Sequence, residues 1–294
     1  MDIRYSIIIP HYNIPHLLKR CCMSIPERED IQVIVVDDKS PNANSYLKEY
    51  SFLNRSNLEF HICGENSGGG HARNEGLKYA TGKWLLFADS DDFFVEGFDV
   101  ILDEYFESDA DIIYFNIQSV YSDDISKPAD RNKVKDNLFA AYKKTNDSTP
   151  FRYSYCEPWG KLIKREMVEK NRIVFDETRV ANDYYFSVAT GCIADIIEIV
   201  DKRIYVLTYR DNSVSAKFGD TKDKILTRLE VYTRVQLLME KYGYYVKPMR
   251  IRGLMVLLMK HHFVIFLKQL LVLHSKGISV RALLLQIFDR HYMN

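Results

Sequence analysis

Three carboxylates crowd one short stretch, Asp89, Asp91 and Asp92, in KWLLFADSDD at 83–92. Like charges this close repel and raise one another's pKa, so the cluster is costly unless a cation sits among them. Mg²⁺ and Mn²⁺ take oxygen ligands and usually bind one or two carboxylates together with substrate phosphates. An Asp-x-Asp behind a buried strand therefore reads as a metal–diphosphate site. For the triplet alone a solvated acidic turn is equally open, since Asp-rich turns are common. Four further groups could do chemistry: His11-Tyr12-Asn13, Asp37-Asp38, Gly68-Gly69-Gly70 with Arg73, and Asn182-Asp183.

The elements that must position them are short and apolar. Residues 5–9 (YSIII, closed by Pro10), 31–36 (IQVIVV), 58–63 and 84–88 (WLLFA) are strand-length runs rich in β-branched and aromatic residues. Helical spacing follows the first two, through Leu17, Leu18, Cys21 and Cys22 and then through Leu47, Tyr50 and Leu53. A helix is predicted from the glycines to Tyr79. Its start is an anion site with Arg73 nearby, although a Gly-rich stretch can also be a mobile turn. No GK[ST] follows, so it is not a Walker A loop. Such alternation predicts a mainly parallel sheet with right-handed crossovers, whose ligands bind beyond the carboxyl ends of the strands. That rule gathers Tyr12–Asn13, Asp37–Asp38 and Asp89–Asp92 at one edge.

The bulk numbers narrow the class. A chain of 294 residues can bury a large core, as one sizeable domain with an appendage or as two. Forty Lys/Arg balance forty Asp/Glu, so composition does not suggest a nucleic-acid binder. Five cysteines without CxxC spacing argue against a disulfide framework or a zinc site and for a reducing compartment. The apolar run at the N-terminus is too short for a signal peptide.

Further along, 112–120 reads as a strand and 121–149 as an irregular polar excursion. Trp159, Leu162, Ile163, Met167 and Val168 form an apolar helical stripe that reads as core before site. Asn182 is predicted as a helix N-cap with Asp183 just inside, where a helix start favours the carboxylate anion. Residues 196–200 and 204–209 read as two strands. From about 223 the pattern is wholly helical. The apolar run at 254–273 is broken by Lys260, His261, His262 and Lys268, short of the ~18 residues of a spanning helix. Basic residues at 241, 247, 250, 252, 260, 268, 276, 281 and 290 face one acid, Asp289, so the tail carries about +8 and the remainder about −8. That asymmetry fits a peripheral membrane surface, a helical cap on the catalytic part or a dimer interface.

Taken together, SIIIPHYN, VVDDKS, GGGHARNEGLKYATGKWLLFADSDD, EPWGKLIKR and ANDYYF resemble family 2 glycosyltransferases of the GT-A fold, the inverting type that builds bacterial surface polysaccharides. The motifs fall in the family's order over roughly 4–215, and the C-terminal helices lie outside them. The resemblance implies an α/β nucleotide-diphospho-sugar transferase fold at 1–220, with a nucleotide-binding half (1–92) and an acceptor-side half (93–220), followed by a helical appendage at 221–294. It implies that Pro10, Tyr12, Asn13, Asp38, Arg73 and Asp89 meet the nucleotide. Asp91 would be the direct ligand of Mn²⁺ or Mg²⁺, with Asp89 and Asp92 as alternatives. Asp183 matches the base of the family's Glu-Asp pair, although Asn182 stands where the family has Glu. Trp159, Lys161, Asn182, Arg210 and Ser213 are further candidates for the diphosphate or the acceptor, and Ser215 falls in the same closing-loop segment as Arg210 and Ser213.

What the resemblance implies is transfer of one sugar per encounter, since the QxxRW motif of processive synthases is absent. The donor would be a nucleotide-sugar, most simply a UDP-sugar, and the acceptor a hydroxyl of a glycan or lipid-linked molecule. The expected location is the cytoplasm or the cytoplasmic face of the membrane. Two other readings stand beside it. A sugar-nucleotide nucleotidyltransferase would carry a Gly-rich basic loop after the first strand, where this chain has HYNIPHLL. A silent carbohydrate- or membrane-binding scaffold would not need Asp38, Asp91 and Asp183 together. Without the family, Asp183 reads as a helix-dipole charge.

Overall fold

A computed structural model describes residues 2–210, 221–244 and 249–288. The first third alternates as the apolar runs predict: β1 (Tyr5–His11), α1 (Pro15–Met23), β2 (Ile31–Asp37), α2 (Ala43–Glu49), β3 (Leu58–Ile62), α3 (Gly69–Tyr79) and β4 (Trp84–Phe87). The middle is less regular: β5 (Phe93–Phe94), α4 (Phe98–Asp103), β6 (Ile112–Tyr121), α5 (Lys133–Thr145), α6 (Thr149–Ser154), β7 (Lys161–Lys164), α7 (Arg165–Lys170), α8 (Tyr184–Ile193) and β8 (Ile197–Tyr209). Four helices follow, α9 (Lys222–Lys241), α10 (Met249–His261), α11 (Phe263–Ser275) and α12 (Val280–Phe288).

All eight strands join one sheet in the order β3-β2-β1-β4-β7-β6-β8-β5. β1 to β4 are mutually parallel; β1, β2 and β4 are almost continuously buried, as a parallel sheet covered on both faces requires, while the edge strand β3 is half-buried. Beyond β4 the sheet is mixed: β7 runs antiparallel to both β4 and β6, while β6 and β8 are parallel. The parallel half therefore delivers residues 11–13, 37–38 and 89–92 to one edge.

Several sequence expectations need correction. Pro10 does not close β1, which runs on to His11 with Pro10 opposite Val36. It is tolerated because β4 pairs only as far as Ile8, so the missing N–H lies where β1 has lost one neighbour. The excursion at 121–149 contains α5, whose Phe139 is buried and whose Leu138 and Tyr142 pack on the core. The stripe 159–168 is not one helix: Leu162 and Ile163 belong to β7, wedged between β4 and β6, and only Met167 and Val168 are helical. The two expected strands after 195 are one, β8. The exposed Asp201-Lys202-Arg203 marks a bulge, where pairing with β6 jumps from Phe115–Val200 to Asn116–Arg203.

The C-terminal helices partly cap the sheet domain. Val231, Val235 and Met239 of α9 bury against Tyr184, Val188 and Cys192, each such side chain contributing roughly 1.5–3 kcal/mol when fully buried. Arg234 pairs with Asp176, and the Arg250 guanidinium lies 4.6 Å from the Tyr184 ring centroid. The other end of α9 joins α10–α12 in a separate apolar core around Leu229, Met255, Leu258, Phe266 and Leu283. Among the described residues no helix is long and apolar enough to cross a membrane. The five cysteines are free and buried.

Candidate active site

Tyr205 on β8 is the floor of the acidic edge. Its ring stacks on Trp159, with centroids 5.4 Å apart and planes 9° apart, and meets Phe94 edge-on. Its hydroxyl accepts the Asp89 backbone N–H at 2.9 Å and donates to Asp92 Oδ2 at 2.8 Å. The Thr208 N–H reaches Asp92 Oδ1 at 2.7 Å, and the Thr208 hydroxyl donates to the Asp91 carbonyl at 2.9 Å. Arg20 from α1 donates to that same carbonyl. The turn is thus pinned from two sides, and its three carboxylates are sorted. Asp92 faces the interior, where burial and then the Asp91 and Asp89 charges push its pKa well up. Asp89 and Asp91 remain at the open edge, with side-chain exposures of 36% and 28%.

Arg73, buried on α3, spans the two halves of the site. It donates to Asp89 Oδ1 at 2.5 Å and to Asn182 Oδ1 at 3.1 Å, over the Phe175 ring. Gly70 permits this approach, because a Cβ there would come within 2.0 Å of the Asp176 carbonyl and 3.0 Å of Asn182 Cβ. Loss of water around Asp89 raises its pKa, Arg73 pulls it back and Asp91 raises it further.

Asp183, not Asn182, is the N-cap residue of α8, and its carboxylate makes no capping bond. The Asn182 amide oxygen serves Arg73 instead, so the predicted cap is displaced by one residue. Burial raises the Asp183 pKa to about 6; Arg73 opposes this, while Asp89 and Glu157 add to it. The helix start was expected to favour the anion, and here burial and two neighbouring acids outweigh it. Glu157 itself escaped the sequence reading. It pairs with Lys135 of α5 at 2.5 Å, the helix that was also missed, and its only sequence signal is its place in EPWGK.

On the other side of β1, Tyr12 is 49% exposed beside Asn13, whose backbone adopts φ 52° and whose N–H reaches Ser40 Oγ at 2.7 Å. The Asp38 carboxylate is occupied, accepting the Ser67 and Gly68 N–H groups at 2.8 Å each and so fastening the loop that leads into α3. Asp37 is fully buried. It accepts from Ser40 N–H at 2.6 Å, from Ser40 Oγ at 2.7 Å and from His11 Nδ1 at 2.7 Å. His11 Nε2 takes the Ile14 N–H, which leaves Nδ1 to donate. His11 and Asp37 stand in the chemistry-bearing groups but not among the expected nucleotide contacts, and both organise the loop that carries Tyr12.

Two further candidates leave the edge. Lys161 is fully buried in β7, donates to the Tyr155 carbonyl at 2.8 Å, and has its pKa pushed down to about 7 by burial. Trp159 is buried beneath Tyr205. Both are core residues with their contacts inside the protein. Arg210, by contrast, reaches the edge, donating to Asp91 Oδ2 at 2.7 Å. Ser213 and Ser215 lie outside the described residues.

Comparison with known proteins gives the family and the fold. It is 28% identical over 227 residues to the glycosyltransferase GlyA of Streptococcus pneumoniae, covering 73% of this chain and 32% of that one. It is 27% identical over 216 residues to the uncharacterized glycosyltransferase EpsJ of Bacillus subtilis, covering 70% and 61%. The chain thus spans about a third of the first relative's length and about three fifths of the second's. Among solved structures it resembles Staphylococcus aureus TarS 1–349 in complex with UDP-GlcNAc, at TM-score 0.63 and 22% identity over 89% of this chain and 73% of that one. It also resembles the mannosyltransferase PcManGT of Pyrobaculum calidifontis in complex with GDP-Man and Mn²⁺, at TM-score 0.53 and 13% identity over 99% and 88%. These likenesses identify the α/β GT-A fold with its helical C-terminal region. The sequence profile of glycosyl transferase family 2 matches residues 6–172, more than half of the chain and the whole span from β1 through α7, and the chain belongs to that family.

Proposed function

We propose that this chain transfers a single sugar, with inversion, from a UDP-sugar to a hydroxyl of a glycan or lipid-linked acceptor in surface-polymer synthesis. The observation that carries the reading is the meeting of Arg73, Asp89 and Asn182-Asp183 at the carboxyl edge of the parallel strands. Asp183 suits a general base. At about 6 its pKa still leaves it mostly deprotonated at neutral pH and makes it more basic than an ordinary carboxylate toward an attacking hydroxyl. Arg73 adds fixed positive charge where the diphosphate would leave. Tyr12, Asn13 and the loop fastened by Asp38 form the nucleotide side.

The donor set fits a divalent cation. Among the described residues no cluster of three or more His, Cys, Asp or Glu could cage a metal alone, but no described residue hydrogen-bonds Asp89 Oδ2 or Asp91 Oδ1. One or two carboxylates completed by phosphate oxygens is the set that Mg²⁺ and Mn²⁺ favour. Asp91 and Asp89 would hold the ion, and Asp92, turned inward, would not. When bound, such an ion supplies positive charge against the leaving diphosphate.

Relatives named for adding glucose or N-acetylglucosamine to poly(ribitol-phosphate) support a surface-polymer hydroxyl as acceptor. Five unpaired cysteines support a cytoplasmic setting. We assign the catalytic unit to 1–220 and the helical appendage to 221–294. The test is a panel of purified sugar nucleotides with the protein and Mn²⁺, scored for nucleoside diphosphate release and acceptor labelling. Release of UDP, abolished in Asp183→Asn and by EDTA, is expected. Release of pyrophosphate from a nucleoside triphosphate would replace the proposal with nucleotidyl transfer.

A further inference from the structure

The helix α11 turns an apolar stripe outward. Phe263, Leu267 and Leu271 stand at i, i+4 and i+8, hence on one face, and are 58%, 47% and 73% exposed; Val264 beside them is 67% exposed. The opposite face of the same helix buries Phe266 and Leu273 in the C-terminal core, so the outward stripe is not a misread core face. Lys268 lies on the stripe's border, four residues after Val264 and three before Leu271, and is exposed. Lys260, Lys276 and Arg281 are exposed at the neighbouring helix ends. None of these four forms an ion pair among the described residues, and α10, α11 and α12 contain no carboxylate.

We infer that this face docks on an anionic lipid bilayer, with α11 lying in the headgroup–acyl boundary. An amphipathic helix with bulky apolar residues on one side and lysines along its border gains from both apolar burial and anionic headgroups. Thirteen residues at about 1.5 Å each give about 20 Å, short of the ~30 Å hydrocarbon core, so α11 lies on the membrane and does not cross it. Charge selects the occupant. Two copies meeting through the stripe would bring Lys268 of each against the other, while the nearest acids, Asp223 and Glu230 of α9, line a cleft with Val272 and Lys276 on the far flank of α11. Nucleic acid would accept the lysines but leave the stripe of Phe263, Leu267 and Leu271 without apolar cover. The docking face stands independently of the donor and acceptor assigned above.

The experiment is flotation of the full chain with vesicles of phosphatidylcholine alone or mixed with phosphatidylglycerol, at low and high salt, with UDP binding and thermal melting as controls. The wild type should float with the anionic vesicles only, and less at high salt. Lys260→Gln/Lys268→Gln/Lys276→Gln should lower partitioning by about fivefold per lysine, and Leu267→Gln/Leu271→Gln should abolish it. Both variants change exposed side chains, so UDP affinity and melting should stay as in the wild type. No flotation, equal flotation with neutral vesicles, or unchanged flotation of the two variants overturns the inference. So does a concentration-dependent dimer that Leu267→Gln disperses and vesicles do not compete for.

Discussion

At the end of β2, Asp37 accepts three hydrogen bonds and Asp38 two, all from groups within the protein. At the end of β4, two strands away in the same parallel half, Asp89 and Asp91 each keep an oxygen that the described residues do not satisfy, and only Asp92 is turned inward. Sequence position is equivalent and chemistry is not. Where backbone N–H groups, a serine and a histidine saturate the carboxylates, the acids fasten loops. Where the neighbours are other acids and three arginines, Arg20, Arg73 and Arg210, Asp89 and Asp91 are each paired through one oxygen and keep the other open among the described residues, which is the arrangement a cation would use. An acidic pair is read by counting its donors, since its place at a strand end does not separate the two cases.

The largest effect expected falls on the open side. Asp183→Asn keeps size and backbone while removing basicity, so transfer should drop by ~10²–10⁴-fold. Affinity for UDP should hardly change. Asp176→Asn and Glu177→Gln serve as controls, because Asp176 is committed to Arg234 and Glu177 to Asn74. Full activity in Asp183→Asn with loss in either control would move the base. Asp91→Asn comes next. It should erase the gain in UDP affinity produced by Mn²⁺ in titration calorimetry, and it should leave the melting temperature little changed, because repulsion with Asp89 and Asp92 is lost together with the partly exposed Arg210 pair. A variant that still responds to Mn²⁺ would remove Asp91 from the cation site.

Asp37→Asn should do the opposite. With three accepted bonds at risk in a buried network, we expect a loss of ~1–3 kcal/mol in denaturant unfolding. The Mn²⁺ response of whatever remains folded should be unchanged. If Asp37→Asn were as stable as the wild type and Asp91→Asn were not, the contrast between saturated and open acids would be wrong.

The placement of these acids was legible in the sequence, though their contrast was not, and the reason is local. The runs YSIII, IQVIVV and WLLF are mostly β-branched, aromatic or aliphatic, so their burial as parallel strands follows from composition, and the rule that ligands bind beyond the carboxyl ends of such strands then places 11–13, 37–38 and 89–92 together. Beyond residue 92 the signal thins. β7 has only Leu162 and Ile163 as apolar residues, too few to separate a strand from a helix turn. α5 shows the core little more than Leu138, Phe139 and Tyr142 among lysines and polar residues. What no local pattern carries is side-chain direction. Asp91 and Asp92 are adjacent, yet one opens to the edge and the other bonds Tyr205, a residue 113 positions later. Lys161, a candidate for the diphosphate or the acceptor, is fully buried. Asn182 reads as a cap and serves Arg73, 109 residues away. Each of these depends on partners distant in sequence, which spacing alone cannot supply.

The smallest effect is the most diagnostic of the open side. Burial, with Asp89 and Glu157 nearby, raises the Asp183 pKa from its ordinary 3.8 to about 6. The pH profile of kcat/KM should therefore show an acid limb near pH 6, falling about tenfold per pH unit below it, because the protonated acid cannot act as base. Stability should move the other way. Between the ordinary and the raised value the folded chain holds a proton that the unfolded chain has released, so this group's contribution to stability declines as pH rises through that window. Asp89 and Asp92, also raised, act in the same direction. The wild type should thus gain activity and lose stability between about pH 4 and pH 6, and Asp183→Asn should show a shallower decline in melting temperature over the same range. A limb near pH 4 would mean that Asp183 behaves as a solvated carboxylate at a helix start, and the distinction between open and saturated acids would then stop at Asp89 and Asp91.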